Sequence, residues 1–545
     1  MLLPATQLTL KQCLNCAIGS ISKFVKPAAA SLTSSNNIMT ATPLLAPYLP
    51  AILYVSVEIC FAVVFFGYMK PRTNRHTEPM PYRDYGEDKR KLMLRIMHRI
   101  EEVAMKTFLS QWFHVKSAKE TRTTNITRTA MAKPLVTKAT TSSTSSLDTP
   151  EIAFTPSSSP ENSDDDASSS ESHSAAAFDD SNAPELYRQE MDKFFAWAFY
   201  GKFHSQLQPK ELQELDRIYK ELKDRHEIVF PHRDDNTNKD DNNVPHTHLQ
   251  PRCMTLEPLN AMYRPLLIYM IVHAMKLGGG ILLRLLGFRR MVASTGLVAW
   301  YRASKRASSE TSSSLLPMLF FHGIAPGGHV LYLPMLLFGL ATEPERPVVL
   351  FENRSISCAI DFAPLTEQQT VDGVVEILKK CDNLDQKDLS LVGHSFGSCL
   401  ITWLLASKRL PNIKQVVMID PVAILLSEPD VMVNFLYAEE LDKIRMVASS
   451  ELFTEYYLRR HFAWYNSELW LEDVDCPMLI GLSEKDEIIN ATKVKQEIER
   501  HAKSAKLVYW NGVGHGACIQ SPTKWRHFKE LMLEQELQIV QQTRG

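Results

Sequence analysis

The chain has 545 residues, enough for several domains and a large buried core. Its 60 Lys and Arg nearly balance 62 Asp and Glu, so no overall positive field attracts nucleic acid, and no nucleic-acid partner is predicted. Nine cysteines occur singly, which excludes a disulfide-stabilised secreted domain and indicates free thiols.

The chain begins with a basic, Ser-rich leader, residues 1–46, whose lack of acidic residues is typical of both transit peptides and disordered tails. A transmembrane helix is predicted next, at 47–69. Residues 51–69 are apolar except for Glu58, and 19 residues reach across a hydrocarbon core of about 30 Å. A carboxyl group in mid-span is unfavourable unless it is protonated or paired. A buried core helix is the alternative interpretation.

Basic residues flank this run unequally. One lies shortly before it and four follow it: Lys26, then Lys70, Arg72, Arg75 and Arg83. Because positive residues tend to stay on the cytosolic side of a membrane, the pattern predicts a single-pass protein with its large C-terminal part in the cytosol. The pattern does not indicate which membrane.

Residues 70–115 are predicted to form a juxtamembrane amphipathic helix. Its apolar positions recur at steps of three and four: Leu92, Ile96, Ile100, Val103 and Thr107. Such a helix is expected to lie on a partner or on the bilayer surface. The next segment, 116–184, is rich in Ser and Thr and lacks the large apolar side chains that ordering requires. It is predicted to be a disordered arm, either a solvated linker or a phosphorylated regulatory segment.

Helical spacing returns in residues 185–230, which predict a helical hairpin. The linker that follows, 231–250, is polar and predicted to be flexible. Its His246 and His248 have no further Cys or His nearby, so no metal site is predicted.

Residues 251–316 are predicted to form apolar, membrane-proximal helices. The apolar stretch Pro265–Phe288 contains the glycine triplet Gly278–Gly280. Because each glycine costs a helix about 1 kcal/mol relative to alanine, the triplet favours two helices over one spanning helix. These helices are expected to lie in the membrane interface or to cover an active site.

An α/β domain is predicted from 317 to 530, because short apolar runs alternate there with helical segments. Six runs are short enough for buried strands: Met318–Phe321, Val348–Glu352, Leu389–Val392, Val416–Ile419, Met478–Gly481 and Leu507–Trp510. The intervals between them suit crossover helices. The predicted fold class is therefore α/β, with a mostly parallel sheet flanked by helices.

A serine follows the third of these runs in a tight, glycine-bounded turn. Gly393, His394 and Gly397 surround Ser395, and an apolar helix begins directly afterwards. A strand-to-helix turn this tight needs small residues, and it raises the hydroxyl above the sheet at a helix N-terminus. The pattern predicts a nucleophile elbow with Ser395 as the nucleophile; a purely structural turn is the alternative.

Two later residues complete the pattern of a catalytic triad. His515 follows the last strand within a glycine-rich loop, and Asp486 follows the preceding strand. The order Ser, Asp, His is that of the α/β-hydrolase arrangement. Asp420, at the end of another strand, is the rival acid, with loop capping as its other role.

A loop after the first run carries the predicted oxyanion hole. His322 and Gly323 end that strand, and the loop continues through Gly328. Backbone N–H groups of such a loop can point at a developing oxyanion. The expected donors are the N–H groups of Ile324 and Phe396.

These residues resemble the α/β-hydrolase superfamily from Met318 to about Lys529. More narrowly, several short segments are similar to a group of membrane-associated AB hydrolase-1 domain proteins common in fungi: Trp112 with Phe113, Phe195–Phe199, Tyr263–Pro265, Gly287 with Phe288, Phe321–Gly323, and Asp420 with Pro421. The resemblance implies an esterase-like or lipase-like hydrolase domain preceded by helices. It does not fix a substrate.

The aromatic excursion 422–475 between two late strands is predicted to form a lid over Ser395, or simply packed core. Together these features predict a membrane-anchored serine hydrolase that cleaves esters or thioesters with apolar acyl groups, without a cofactor. An acyltransferase on the same fold and a catalytically silent membrane scaffold are the alternatives. A lipid or other apolar acyl ester is the expected substrate, and the oligomeric state is not indicated.

Overall fold

The computed structural model describes residues 49–77, 90–99, 104–115, 185–232, 249–305, 315–437, 448–502 and 504–544. The predicted leader 1–46 and the predicted disordered arm 116–184 lie outside the described residues. Most of the linker 231–250, with His246 and His248, also lies outside them.

Ten strands are present in the described residues: β1 Phe113–Val115, β2 Leu249–Pro251, β3 Arg289–Val292, β4 Val298–Arg302, β5 Met318–Phe321, β6 Val348–Glu352, β7 Leu389–His394, β8 Ile413–Ile419, β9 Met478–Ser483 and β10 Lys506–Trp510. The α-helices there are α1 Leu49–Val64, α2 Lys70–Thr73, α3 Arg90–Arg99, α4 Ala104–Gln111, α5 Arg188–Tyr200, α6 Pro209–His226, α7 Leu266–Leu285, α8 Leu333–Met335, α9 Glu367–Lys380, α10 Gly397–Ser407, α11 Pro429–Leu436, α12 Leu452–Arg460, α13 Trp464–Ser467, α14 Ala491–His501 and α15 Pro522–Arg544.

Eight of the strands form one sheet in the order β10-β9-β8-β7-β5-β6-β4-β3. The pairs from β10 to β6 are parallel, whereas β4 pairs antiparallel with both β6 and β3. Parallel neighbours need crossover connections, and helices follow β6, β7, β8 and β9 in the chain. This is the mostly parallel, helix-flanked sheet of the α/β-hydrolase fold, so the predicted fold class is confirmed.

Alternating strand residues build two apolar cores on the two faces of the sheet. Leu319, Leu391 and Met418 pack on one face with residues of α9 and α10. Phe320 and Val417 pack on the other face with α15. Because side chains alternate across a strand and both faces are covered, the strands are apolar throughout. The resulting rigid sheet presents the carboxyl ends of its parallel strands at one edge.

The sheet begins earlier in the chain than residue 317, where the sequence pattern placed the start of the domain. Strands β3 and β4 lie within 251–316, a segment expected to be helical. Strand β3 is an exposed edge strand with two arginines, so it lacks the apolar alternation of a half-buried strand. The α/β unit also extends past residue 530, because α15 continues to Arg544.

The apolar stretch before these strands forms one helix, α7, and not the two that were expected. Gly279 and Gly280 lie in its middle, where a Cβ would be 2.8 Å from the Val330 side chain and 3.1 Å from the Trp300 ring, respectively. The glycines therefore allow the helix to pack closely on the domain. This packing overrides their low helix propensity, which is only a weak local preference.

The described part of residues 70–115 is not the one helix that was predicted. It contains α2, α3, α4 and β1, and the apolar side of α3 packs inside the chain itself. Arg95 holds α3 in place through ion pairs with Glu472 and Asp473, with N···O distances of 2.6 and 2.8 Å. Strand β1 pairs with β2, a contact between distant segments that no local pattern indicated.

Two helical stretches of the described residues are long and apolar enough to cross a membrane, Pro50–Thr73 and Leu266–Leu285. The first is α1, which continues through a π-helical turn into α2. Glu58 of α1 accepts hydrogen bonds from the backbone N–H of Leu266, at 3.1 and 3.2 Å, and from the hydroxyl of Tyr263. The carboxyl group is therefore paired with the N-terminus of α7, where unsatisfied N–H groups favour a negative charge.

Candidate active site

Ser395 lies in the turn between β7 and α10, with a left-handed backbone at φ 52°. The residues two positions before and two positions after it must be glycine. A Cβ on Gly393 would be 2.7 Å from the Ile401 side chain, and one on Gly397 would be 2.2 Å from the carbonyl oxygen of Phe321. The N–H of Ser395 donates to the carbonyl of Ile419 on the neighbouring strand, at 2.9 Å. The turn is thus fixed by close packing, and it holds the hydroxyl at the end of the sheet.

The structure brings Ser395, His515 and Asp486 into one hydrogen-bonded relay. Ser395 Oγ lies 2.9 Å from Nε2 of His515, and Nδ1 of His515 lies 2.6 Å from Oδ2 of Asp486. The other oxygen of Asp486 accepts from the N–H groups of Ile488 and Ile489, at 2.8 and 2.9 Å. With Nδ1–H donating to the carboxylate, Nε2 can accept the serine proton.

Asp420, the rival acid, lies beside this relay and has other partners. One oxygen accepts from the N–H of Ser483 at 2.7 Å, and the second accepts from the hydroxyl of Ser483 and the N–H of Gly516, at 3.0 and 2.8 Å. Asp420 therefore ties β9 and the His515 loop to the end of β8. Burial raises the pKa of its carboxyl group to about 6.

The charge environment of His515 is strongly acidic. Burial lowers the pKa of His515, but the carboxylates of Asp486 and Asp420 outweigh it and raise the pKa to about 9. The imidazolium form is thereby stabilised next to the serine. Such stabilisation favours the protonated histidine that forms when the serine attacks a carbonyl group.

Ligand atoms of Asp420, Asp486 and His515 also lie within 4.8 Å of one another, a spacing that a metal ion can use. Their hydrogen bonds favour a different arrangement. Nδ1 of His515 is engaged by Asp486, and both oxygens of Asp420 accept from neutral groups of the protein. Nε2, the remaining nitrogen of His515, faces Ser395.

In the loop after β5, the N–H group of Ile324 is available to bind an oxyanion. The N–H groups of Ala325, Gly327 and Gly328 donate to backbone carbonyls of residues 356, 357 and 325. Within the described ranges, no acceptor is found for the N–H of Ile324 or of Phe396. Both residues line the same cavity as Ser395. These are the two N–H groups expected to bind an oxyanion.

A buried tyrosine, which the sequence pattern did not reveal, links this loop to the elbow. The N–H of Gly323 donates to Oη of Tyr332 at 3.0 Å, and the same oxygen lies 2.8 Å from Nδ1 of His394. Burial raises the pKa of Tyr332 above its usual value and lowers the pKa of His394, so both groups are neutral at physiological pH. Tyr332 lies nine residues from Gly323, and no motif marks it.

Ser395 opens into an apolar cavity. Every other lining side chain is aliphatic or aromatic: Trp112, Trp197, Met254, Ile324, Phe396, Val422, Leu426, Val431, Met432, Phe435, Leu436, Leu458, Phe462, Trp464 and Ile488. Only some of the aromatic residues of 422–475 line it. Others pack elsewhere, such as Trp470 under the Arg95 guanidinium at 4.1 Å. The sequence pattern missed the contribution of Trp112, Trp197 and Met254, which come from the N-terminal part of the chain.

One known protein family matches part of the chain. Residues 372–535 match the family described as BAAT / Acyl-CoA thioester hydrolase C terminal, and this stretch contains Ser395, Asp486 and His515. The match covers well under half of the chain. A search of curated proteins gave no match.

Among solved structures, the chain is similar to naproxen esterase (carboxylesterase NP) from Bacillus subtilis. The two share 10% identity, with a TM-score of 0.33, over 48% of this chain and 98% of the other. It is also similar to a fungal esterase from Rhizomucor miehei, with 18% identity and a TM-score of 0.35, over 47% of this chain and 82% of the other. The α/β-hydrolase fold itself follows from strand order and register, and the family match is to a hydrolase domain of the thioesterase type.

Proposed function

We propose that the protein is a membrane-anchored serine hydrolase that cleaves esters or thioesters with apolar acyl groups. The observation that carries this proposal is the relay from Asp486 through His515 to Ser395, which opens into an apolar cavity. No cofactor takes part in such a reaction.

In the proposed mechanism, Ser395 attacks the acyl carbonyl carbon while Nε2 of His515 takes the serine proton. Asp486 keeps His515 in the Nδ1–H tautomer and stabilises the imidazolium. The N–H groups of Ile324 and Phe396 bind the oxyanion. The histidine then protonates the leaving alcohol or thiol, and the acyl-enzyme is hydrolysed when His515 deprotonates a water molecule.

The cavity supports an apolar acyl chain as the part of the substrate that is recognised. Ser395 is its one hydroxyl-bearing lining residue, and no charged side chain lines it. A substrate that filled this space with a polar group would lose hydrogen bonds to water without replacing them. The match to an acyl-CoA thioester hydrolase domain supports thioesters as well as esters.

Membrane anchoring by α1 is supported by its length and hydropathy. Several of its apolar residues, such as Leu53 and Val57, are exposed. The pairing of Glu58 with Leu266 removes the main cost of placing this helix in lipid. The unequal basic flanks support a cytosolic hydrolase domain.

A fluorophosphonate probe tests the chemistry directly. Wild-type protein should be labelled, and Ser395→Ala should abolish labelling and lower ester turnover by roughly 10³-fold or more. Ser398→Ala is a matched control, because this neighbouring serine is buried and its hydroxyl donates to the carbonyl of Ser395. Persistent labelling of the Ser395 variant would remove that residue from its role.

Topology is tested separately. A protein anchored by α1 should stay with membranes through alkaline carbonate extraction. Asn353 and Asn490 lie in Asn-X-Ser/Thr sequences and should carry no glycan if the domain is cytosolic. A glycan on either residue would reverse the proposed orientation, and release by carbonate would contradict the anchor.

A further inference from the structure

Helix α7 has two unlike faces. One face is buried against the domain along the whole helix, through Tyr269, Val272, Gly279, Gly280 and Leu283. On the same side, Lys276 forms an ion pair with Glu352 at the end of β6. This side of α7 is therefore packed on the domain between Tyr269 and Leu283.

The other face is apolar and exposed. It carries a continuous series of large side chains: Leu267, Ile268, Met270, Ile271, Met275, Leu277, Ile281, Leu282, Leu285 and Leu286. Leu277 is 67% exposed and Leu285 is 79% exposed. A helix that lay against water would carry polar residues on this face. So large an apolar surface indicates an interaction site.

The exposed face continues onto a second element beyond the helix. Phe338, which follows α8, is 73% exposed, and it lines a groove with Leu282, Leu286 and Leu337. Lys305 and Arg302 also line this groove. The apolar surface therefore comes from two separate parts of the chain and has basic residues at its border.

The charged residues of the segment that contains α7 are all basic. Residues 258–309 contain eight Lys and Arg and no Asp or Glu. Arg284 and Arg290 both lie at Trp300, the first 5.8 Å above its ring and the second opposite it in the β3–β4 ladder. Neither has an ion-pair partner among the described residues, and both are exposed.

We propose that α7 is a second membrane-binding element, which inserts its exposed face and Phe338 into one leaflet while Arg284, Arg290 and Lys305 bind anionic phospholipid headgroups. An apolar face bordered by basic residues is the composition of interfacial helices. The inference deepens the membrane attachment of the proposed function and does not depend on the hydrolase chemistry.

Insertion is tested on the full chain reconstituted in vesicles. An environment-sensitive fluorescent amino acid replaces Leu285, or the exposed Val229 far along the chain as a control. Brominated phosphatidylcholine should quench the fluorescence of the label at 285 and should not change the fluorescence of the label at 229. Absence of quenching at 285 in all vesicles would overturn the proposal.

Headgroup recognition is tested with vesicles of phosphatidylcholine alone and with added phosphatidylserine. Phosphatidylserine should increase the ratio of protein with the label at 285 inserted in the membrane to protein with this label outside it. The double variant Arg284→Gln and Arg290→Gln should lower this ratio about 25-fold at low salt, at about fivefold per basic residue. The control variant Arg217→Gln and Lys220→Gln removes the same charge from the exposed side of α6 and should change nothing.

Equal quenching with and without phosphatidylserine, unchanged by the double variant, would overturn the headgroup part of the proposal. Fluorophosphonate labelling of the same preparations separates the two hypotheses. A failure of insertion with labelling intact contradicts this inference alone, whereas loss of labelling contradicts the proposed hydrolase.

Discussion

Replacing Asp486 by asparagine should stop the relay by reversing the tautomer of His515. Oδ1 of Asp486 accepts from two backbone N–H groups, those of Ile488 and Ile489. The amide oxygen of an asparagine must take that position, because an NH₂ group there would face two donors. The NH₂ group would then donate to Nδ1 of His515, and Nε2 would carry the proton.

A histidine with the proton on Nε2 cannot accept the proton of Ser395. Loss of the correct tautomer in a serine triad costs about 10⁴-fold in kcat. Asp420→Asn is the matched comparison, since Asp420 is a buried carboxyl group beside the same histidine. This change leaves either Ser483 or Gly516 with an unpaired N–H, which costs roughly 1–3 kcal/mol of stability but keeps the relay.

Both variants are assayed for hydrolysis of a soluble ester between pH 6 and 10, with thermal unfolding as the test of folding. Asp486→Asn should lose about 10⁴-fold at the pH at which the wild-type protein is most active. Asp420→Asn should lose tenfold or less at its best pH, by rough estimate. Because the Asp420 charge raises the pKa of His515, its removal should move the pH profile to lower pH. If both variants fold and Asp420→Asn loses more activity, Asp420 orients the histidine and the present assignment is refuted.

Three further predictions follow from the same structure. Since the pKa of His515 is about 9 and only the neutral form accepts the serine proton, kcat/KM should rise about tenfold per pH unit below that value; a plateau already at pH 7 would contradict it. Gly397→Ala places a Cβ 2.2 Å from the carbonyl oxygen of Phe321 and should lower the free energy of unfolding by about 1–3 kcal/mol. The control Gly278→Ala has nothing within 4 Å of the added Cβ and should not lower it. Equal thermal midpoints for the two variants would show that the elbow tolerates a side chain. In a series of p-nitrophenyl esters, kcat/KM should rise up to about fourfold per methylene until the cavity is full, and best turnover of acetate would contradict an acyl pocket.

Much of the fold could be predicted because the local sequence pattern and the tertiary contacts favour the same structure there. The strands from β5 to β10 are short apolar runs with turns on both sides, and the tight turn at Ser395 needs glycines that stand out in the sequence. The same reasoning chose Ser395, His515 and Asp486, which the structure brings within hydrogen-bond distance. What was predictable was therefore the part in which local sequence and tertiary contacts favour the same structure.

The remaining features depend on contacts between distant segments. Strand β1 pairs with β2 more than 130 residues away, and the cavity wall takes Trp112 and Trp197 from segments that precede the sheet. The glycines of α7 predicted a break, whereas packing against Trp300 and Val330 keeps the helix continuous. Tyr332 connects two loops through its hydroxyl group, which no spacing rule indicates.

The divided origin of the cavity wall affects how the protein can be shortened. The sheet and the Ser395 relay lie between Arg289 and Arg544, so a fragment of these residues would contain every group of the proposed chemistry. It would lack Trp112, Trp197 and Met254 and would leave one side of the cavity open. The relay and most of the cavity wall thus come from one stretch of the chain, and the N-terminal part supplies the rest of the wall. If the proposed acyl pocket is right, substitutions of Trp112, Trp197 or Met254 should change the preferred chain length while the relay stays the same.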